Sequence, residues 1–198
     1  MKFFNVFKQS ALELKELRNV CTCGLLMAVS MLIESLSIEL PFAKINFAFL
    51  AIAAIGMLFG PTVSLFAGGM CDILGFIVHP TGGFIPIYTL IGAAQGLIYG
   101  IVAYRKYCTK TGKQRQLEML VRVAIARCLD VVLINLLCNT AANYHYQFIK
   151  AESLTAAIYA RIAKNLLELP FDMILIAAVI PAILIGFEMT VGKRRTAA

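Results

Sequence analysis

Five polar side chains, Arg161, Lys164, Asn165, Glu168 and Asp172, lie inside an otherwise apolar run from about Leu154 to Val191. Counted from Arg161 they fall at spacings of 3, 4, 7 and 11, which is one face of a helix of about 3.6 residues per turn. A charge at the centre of a bilayer costs about 2.5–3.5 kcal/mol on insertion scales, so each one needs a partner, a ligand or a water-filled cavity. Lys164 and Glu168 are i, i+4 neighbours and can neutralise one another. Arg161 has no carboxylate one turn away and stands on the order of 10 Å in from the outer end of the run, at 1.5 Å per residue.

Further polar groups share this setting. Arg127 and Asp130 are i, i+3 and can pair with each other. Asn135 and Asn139 form an i, i+4 carboxamide stripe, which either bridges helices or faces a cavity and offers a donor and an acceptor to a heterocycle. Asp72, in Gly68-Gly69-Met70-Cys71-Asp72, is open to two readings, an ion pair to a neighbouring helix or a pocket carboxylate. A pocket of cations, amides and one carboxylate with interleaved Phe and Tyr suits an aromatic anion. The chain contains no GxxxxGK[ST], HExxH or GxSxG pattern, so the expectation is a binding protein rather than an enzyme, with no ATPase site of its own. The six cysteines form no CxxC and no Cys/His cluster; they read as small hydrophobes, and no metal is expected.

The elements that must hold these groups follow from composition. Of 198 residues, 60% are of the AVILMFWYC type and 15% are charged, against about 25% charged in a soluble domain. A water-soluble globule and a disordered chain are excluded. Apolar runs read as spans over Val20–Ile38, Ile45–Phe59, Thr62–Val78, Phe84–Tyr104, Met119–Ala142 and Leu154–Val191, the last expected to be interrupted near Pro170 and Pro181. Thirteen of the 18 Lys and Arg flank these runs in three blocks, at the start (Lys2 to Arg18), around the middle (Arg105 to Arg122) and at the end (Lys193 to Arg195), whereas the opposite loops carry only Lys44 and Lys150. Six spans place all three blocks on one side, which is the cytoplasmic side by the positive-inside rule. The net charge of +7 thus reports orientation, and no nucleic acid partner is expected. The fold expected is all-α: a polytopic membrane protein with six transmembrane helices in one compact bundle and both termini cytoplasmic. It divides into an amphipathic N-terminal segment (1–19) on the inner membrane surface, a membrane domain (20–191) and a basic tail (192–198). On the first span Gly24 and Ala28 make a small-xxx-small face, for a partner helix or for the chain's own neighbours.

Several segments in order carry a resemblance: Ile45-Asn46-Phe47-Ala48-Phe49-Leu50, Gly56-Met57-Leu58-Phe59-Gly60-Pro61, Asp72-Ile73-Leu74-Gly75, His79-Pro80-Thr81-Gly82, Asn135-Leu136-Leu137-Cys138-Asn139-Thr140 and Ala160-Arg161-Ile162-Ala163-Lys164-Asn165-Leu166. From about Cys23 to Pro170 the chain resembles the folate-specific substrate-binding subunits (S components, FolT-like) of energy-coupling factor (ECF) vitamin transporters. It departs from them at Phe84–Leu90 and at Cys138. The resemblance implies a six-helix protein of the bacterial cell membrane that captures folate from outside. It also implies delivery inward by toppling, together with a membrane coupling subunit and two ATPase subunits. ATP is then used only by the partners, and the chain itself needs no cofactor. It further implies ligand or gate contacts at Lys44, Asn46, His79, Thr81, Gly82, Asn139, Arg161, Lys164 and Asn165, beside Asp72 and Asn135 from the pocket reading, with Gly24 and Ala28 facing the coupling subunit. The alternatives are an S component for another aromatic vitamin such as riboflavin, or a membrane protein outside transport.

The charge distribution makes the topology testable. Single cysteines near Lys110 and Arg194 should resist an impermeant thiol reagent in intact cells, while one near Lys150 should label. Labelling near Lys110 from outside would overturn the six-span reading.

Overall fold

The computed structural model describes residues 2–35, 38–40, 43–45, 47–78, 80, 83–108, 112–148 and 153–195. Its helices are α1 (Lys2–Glu13), α2 (Leu17–Ser35), α3 (Phe49–Phe59), α4 (Pro61–Val78), α5 (Pro86–Ala103), α6 (Gly112–Leu129), α7 (Asn139–His145) and α8 (Leu154–Arg195). Among the described residues, four stretches are long and apolar enough to cross a membrane: Leu17–Glu34, Pro61–Val78, Pro86–Tyr107 and Leu154–Met189. The polytopic helical architecture expected from composition is therefore present, with differences in its parts.

The second apolar run is shorter as a helix than Ile45–Phe59. Strands β1 (Ile38–Leu40) and β2 (Ala43–Ile45) pair antiparallel, with Ile38 opposite Ile45 and Glu39 opposite Lys44. This small hairpin ends the first span at Ser35 rather than Ile38 and delays α3 to Phe49, because residues committed to strand pairing cannot continue a helix. The eleven residues of α3 are all buried. It is the centre of the bundle, enclosed by Ile176, Ile180 and Leu184 of α8, Met119 and Val123 of α6 and Tyr99 of α5. It ends at Gly60, whose φ of 85° lies in the region that only glycine enters freely. Pro61 then starts α4 at once, where a missing amide hydrogen costs nothing.

Helix α5 packs on α4 through Gly92, Gly96 and Gly100. A Cβ on Gly96 would collide with the Ser64 carbonyl oxygen, and one on Gly92 would come within 2.9 Å of the Gly68 oxygen. The backbones approach this closely because α5 carries no side chain at these positions, and at Gly68–Gly92 neither helix does.

The segment from Gly112 to His145 is one continuous helical run, but Asp130–Cys138 is wound as a π-helix between α6 and α7. Periodicity of 3.6 does not reveal this wider turn. The last helix is also continuous: α8 runs through both Pro170 and Pro181, correcting the expected interruptions. Each proline removes only one intrahelical donor, and membrane helices tolerate this where neighbours and local adjustment satisfy the freed carbonyl.

Helix α1 is docked by one edge at the α3–α4 junction. The Ser10 hydroxyl donates to the Phe59 carbonyl (2.7 Å) and accepts from the Thr62 and Val63 amides (3.1 and 3.2 Å). A residue far away in sequence thus caps the open start of α4. Glu13 is buried against Lys106 (2.7 Å), Arg105 (3.6 Å) and the Asn19 amide (2.8 Å). The Arg105 guanidinium lies 4.6 Å over the Phe187 ring, and Arg18 lies 5.8 Å from the same ring. The first helix and the late turns of α8 therefore meet at one end of the bundle.

Gly96→Ala should destabilise the detergent-solubilised protein by about 1–3 kcal/mol, the usual cost of forcing atoms into a closed contact. Gly24→Ala, whose Cβ would meet nothing within 4 Å, should leave its melting temperature unchanged. Equal melting of the two variants would mean that the α4–α5 contact is not tight.

Candidate functional site

The half of the bundle away from the α1–Phe187 end holds a cavity of about 370 Å³, within the range of small-molecule sites. Helix α2 contributes Ser30 and Glu34; α3 and the residue before it contribute Ala48, Phe49 and Ile52; α4 contributes Gly68, Cys71 and Asp72. Gly92 and Gln95 of α5, Arg127 of α6, and Asn135, Asn139 and Asn143 along the π-helix and α7 form the next wall. Helix α8 closes it with Arg161, Lys164, Asn165 and Glu168.

The helical face read from the sequence on α8 is thus the one that meets the cavity, and its members differ in how they are held. Lys164 pairs with Glu168 at 3.3 Å, the internal neutralisation that i, i+4 spacing allows. Asn165 is buried and donates to the Arg161 carbonyl at 2.9 Å, which leaves its amide oxygen as an acceptor. Among the described residues no carboxylate lies within ion-pair distance of Arg161. Asp172 does not continue the Lys164–Glu168 series. It binds Arg127 on another helix, with Nε at 3.0 Å and the terminal nitrogen at 2.9 Å.

Arg127 also donates to Asp130 at 2.7 Å, the pair that the i, i+3 spacing suggests, and its guanidinium rests 3.8 Å from the centroid of the Phe49 ring. Gln95 and Tyr99 of α5 donate to the same Asp130 oxygen at 3.1 and 3.3 Å. The pocket floor is therefore an arginine fixed by two carboxylates and an aromatic face. Asp72 makes a hydrogen bond rather than an ion pair to the neighbouring helix: Thr89 donates to it at 2.6 Å, and its other oxygen is left for the cavity. The Asn139 amide donates to Asn135 at 3.2 Å, and Tyr88 donates to Asn143 at 2.8 Å, so the carboxamides are preorganised along one wall.

Of the residues expected from sequence, Asp72, Asn135, Asn139, Arg161, Lys164 and Asn165 come together in the cavity. Asn46, His79, Thr81 and Gly82 lie outside the described residues, as does the side chain of Lys44, whose backbone belongs to β2. Sequence reasoning did not place Glu34, Gln95 and Asn143 in the site. Glu34 and Gln95 lie inside the expected first and fourth spans, and Asn143, although four residues on from Asn139, follows the expected end of the fifth span at Ala142. Gly24 and Ala28 lie on an exposed face of α2 with Leu25 and Leu32, away from the cavity, and an added Cβ at Gly24 has open space. Internal packing, one of the two readings of that face, is absent at Gly24. All six cysteines are free thiols.

The site offers one guanidinium, Arg161, without a carboxylate partner among the described residues, together with a row of carboxamides and carboxylates that can accept from a heterocyclic N–H. Comparison with known proteins agrees with the architecture. Residues 18–180 match the family model described as the substrate-specific component of ECF transporters. The folate transporter FolT of Clostridium novyi (strain NT) is 30% identical over 141 residues, covering 71% of this chain and 74% of that protein. The folate transporter FolT of Leuconostoc mesenteroides is 26% identical over 156 residues, covering 79% and 80%. A crystal structure of FolT bound with folic acid superposes with a TM-score of 0.63 at 26% identity, over 81% of this chain and 91% of that one. With a family match over most of its length and a polar pocket enclosed by apolar helices, the chain belongs to the substrate-specific components of ECF transporters.

Proposed function

We propose that this chain captures folate from the outer side of the bacterial cell membrane and delivers it inward with an ATP-driven module, a membrane coupling subunit and two ATPases. The observation that carries the folate reading is the cavity itself, where Arg161 has no carboxylate partner among the described residues and faces preorganised carboxamides and Asp72. Folate presents two tail carboxylates and a pterin with adjacent donors and acceptors, and these groups match. The folate transporters among its relatives support the same ligand.

In this reading the chain crosses the membrane six times: by α2, by α3 with its flanking residues, by α4, by α5, by the Gly112–His145 run and by α8. The end where α1 meets Phe187 faces the cytoplasm, in keeping with its basic residues. The loops expected to carry Lys44, Asn46, His79, Thr81 and Gly82 close the outer mouth. The exposed Gly24–Ala28 face of α2 receives the coupling subunit.

The direct experiment is the absorption spectrum and mass of whatever copurifies with the detergent-solubilised chain. A pterin supports the proposal; a flavin, or an empty protein with no melting shift on adding folate, overturns it. Arg161→Ala should weaken folate binding more than tenfold, which is about 1.4 kcal/mol, without loss of fold. The same variant should bind pteroate, which lacks the glutamate tail, as wild type does. Equal loss for both ligands would place Arg161 at the pterin end.

Capture and transport should also separate. Gly24→Leu combined with Ala28→Leu should abolish uptake and assembly with the module while purified protein still binds folate, because bulky side chains block close helix approach. Persistent uptake would place the partner contact elsewhere.

A further inference from the structure

We propose that the chain binds its dianionic ligand together with a proton, taken up from solvent by the Arg127–Asp130–Asp172 cluster with Asp130 as the acceptor. The inference rests on the folate reading for the ligand's charge and on the structure for where the proton goes. One guanidinium serves two carboxylates here, and all three residues are buried. The cluster therefore carries an excess negative charge inside the membrane when both acids are ionised, and an uncompensated charge in such surroundings is costly.

The two oxygens of Asp130 are served very unequally. Its Oδ2 accepts from Arg127, Gln95 and Tyr99, whereas Oδ1 has no hydrogen-bond partner although the residue is wholly enclosed. The three donors on Oδ2 hold the ionised form while no ligand is bound. Oδ1, which receives no donor, is the oxygen placed to carry a proton once the ligand's negative charge is added. Uptake forms one O–H bond at Oδ1, and the proton returns to water when the ligand leaves.

The cavity and the cluster share groups. Arg127 and Gln95 line the pocket and bind Asp130 directly. The groups around Asp130 are Gln95 and Tyr99 from α5, Arg127 from α6 and, through Arg127, Asp172 from α8, with the Lys164–Glu168 pair further along the same face of α8. From α3 the cluster receives only the Phe49 ring, which bears no charge. Among the described residues other than Glu34, the cavity and cluster together set Arg127, Arg161 and Lys164 against Asp72, Asp130, Glu168 and Asp172. A ligand with two carboxylates adds to the side already in excess, and a proton is the smallest cation that offsets it. Since the ligand favours the protonated cluster, linkage requires affinity to fall as pH rises, by at most about tenfold per pH unit for one proton.

The test is calorimetry of folate binding to the purified full chain in two buffers of different ionisation enthalpy, repeated from mildly acidic to mildly alkaline pH. The wild type should take up on the order of one proton per folate, and an infrared difference spectrum should show a protonated carboxyl band appearing with ligand. Asp130→Asn should bind folate with no proton uptake, a flat pH dependence and no such band, while Glu188→Gln, whose carboxylate pairs with Arg115 in the late turns of α8 away from the cavity, keeps all three signals. Folate binding by the wild type with the same heat in both buffers overturns the inference and leaves the folate reading standing. Loss of uptake in Glu188→Gln but not in Asp130→Asn also overturns it. A wild-type chain that binds no folate overturns both. The wild-type measurement decides whether or not the variants fold.

Discussion

A guanidinium inside a membrane protein is tolerable only when its charge and its five N–H groups are met by the protein. Arg127 is the point at which this constraint organises the bundle. Asp130 comes from its own helical run, Asp172 from α8, the Phe49 ring from α3, and Gln95 and Tyr99 of α5 complete the shell around Asp130. Four helices are tied at one buried spot, and removing any charged member leaves another exposed to a low dielectric. The cavity begins where this knot ends. Its floor is rigid because the floor is the knot.

Two other features separate that rigid half from the rest. The α4–α5 contact is made by backbone against backbone at Gly68, Gly92 and Gly96, so the wall holding Asp72 and Gln95 is one close-packed unit. At the far end, Ser10 and Glu13 of α1 tie the α3–α4 junction to the residues after α5. Capping, ion pairing and aromatic contact are concentrated there, away from the pocket, and the exposed face of α2 runs between the two ends with nothing packed at Gly24.

Local spacing made part of this site legible. The Arg161, Lys164, Asn165 and Glu168 face follows from a 3.6-residue period, as do the Lys164–Glu168 and Arg127–Asp130 pairs. The Arg127–Asp172 contact joins residues 45 apart on separate helices, and no periodicity announces which helices will face each other. The π-helix at Asp130–Cys138 was equally hidden, because an i to i+5 hydrogen bond leaves no mark on composition. It matters for the site: the wider turn lets Arg127, Asn135, Asn139 and Asn143 share one wall. Glycine spacing was ambiguous in the same way. Gly24 and Ala28 on α2 look like a packing face, and so do Gly92, Gly96 and Gly100 on α5, yet only the α5 set is closed by a neighbouring helix within the chain. The β1–β2 hairpin escaped notice because its three-residue strands sit in a segment that reads as a loop.

The shortness of α3 bears on how the protein is made. Eleven residues at 1.5 Å each reach about 16 Å, roughly half the hydrocarbon thickness of a bilayer. A helix of that length is too short to cross a membrane by itself. It is joined to α4 through Gly60 and Pro61 without a linker. The residues of α6 and α8 that enclose it are synthesised after it. The most buried helix is thus made before part of its surroundings. During synthesis its fate depends on the half of the chain that has not yet left the ribosome.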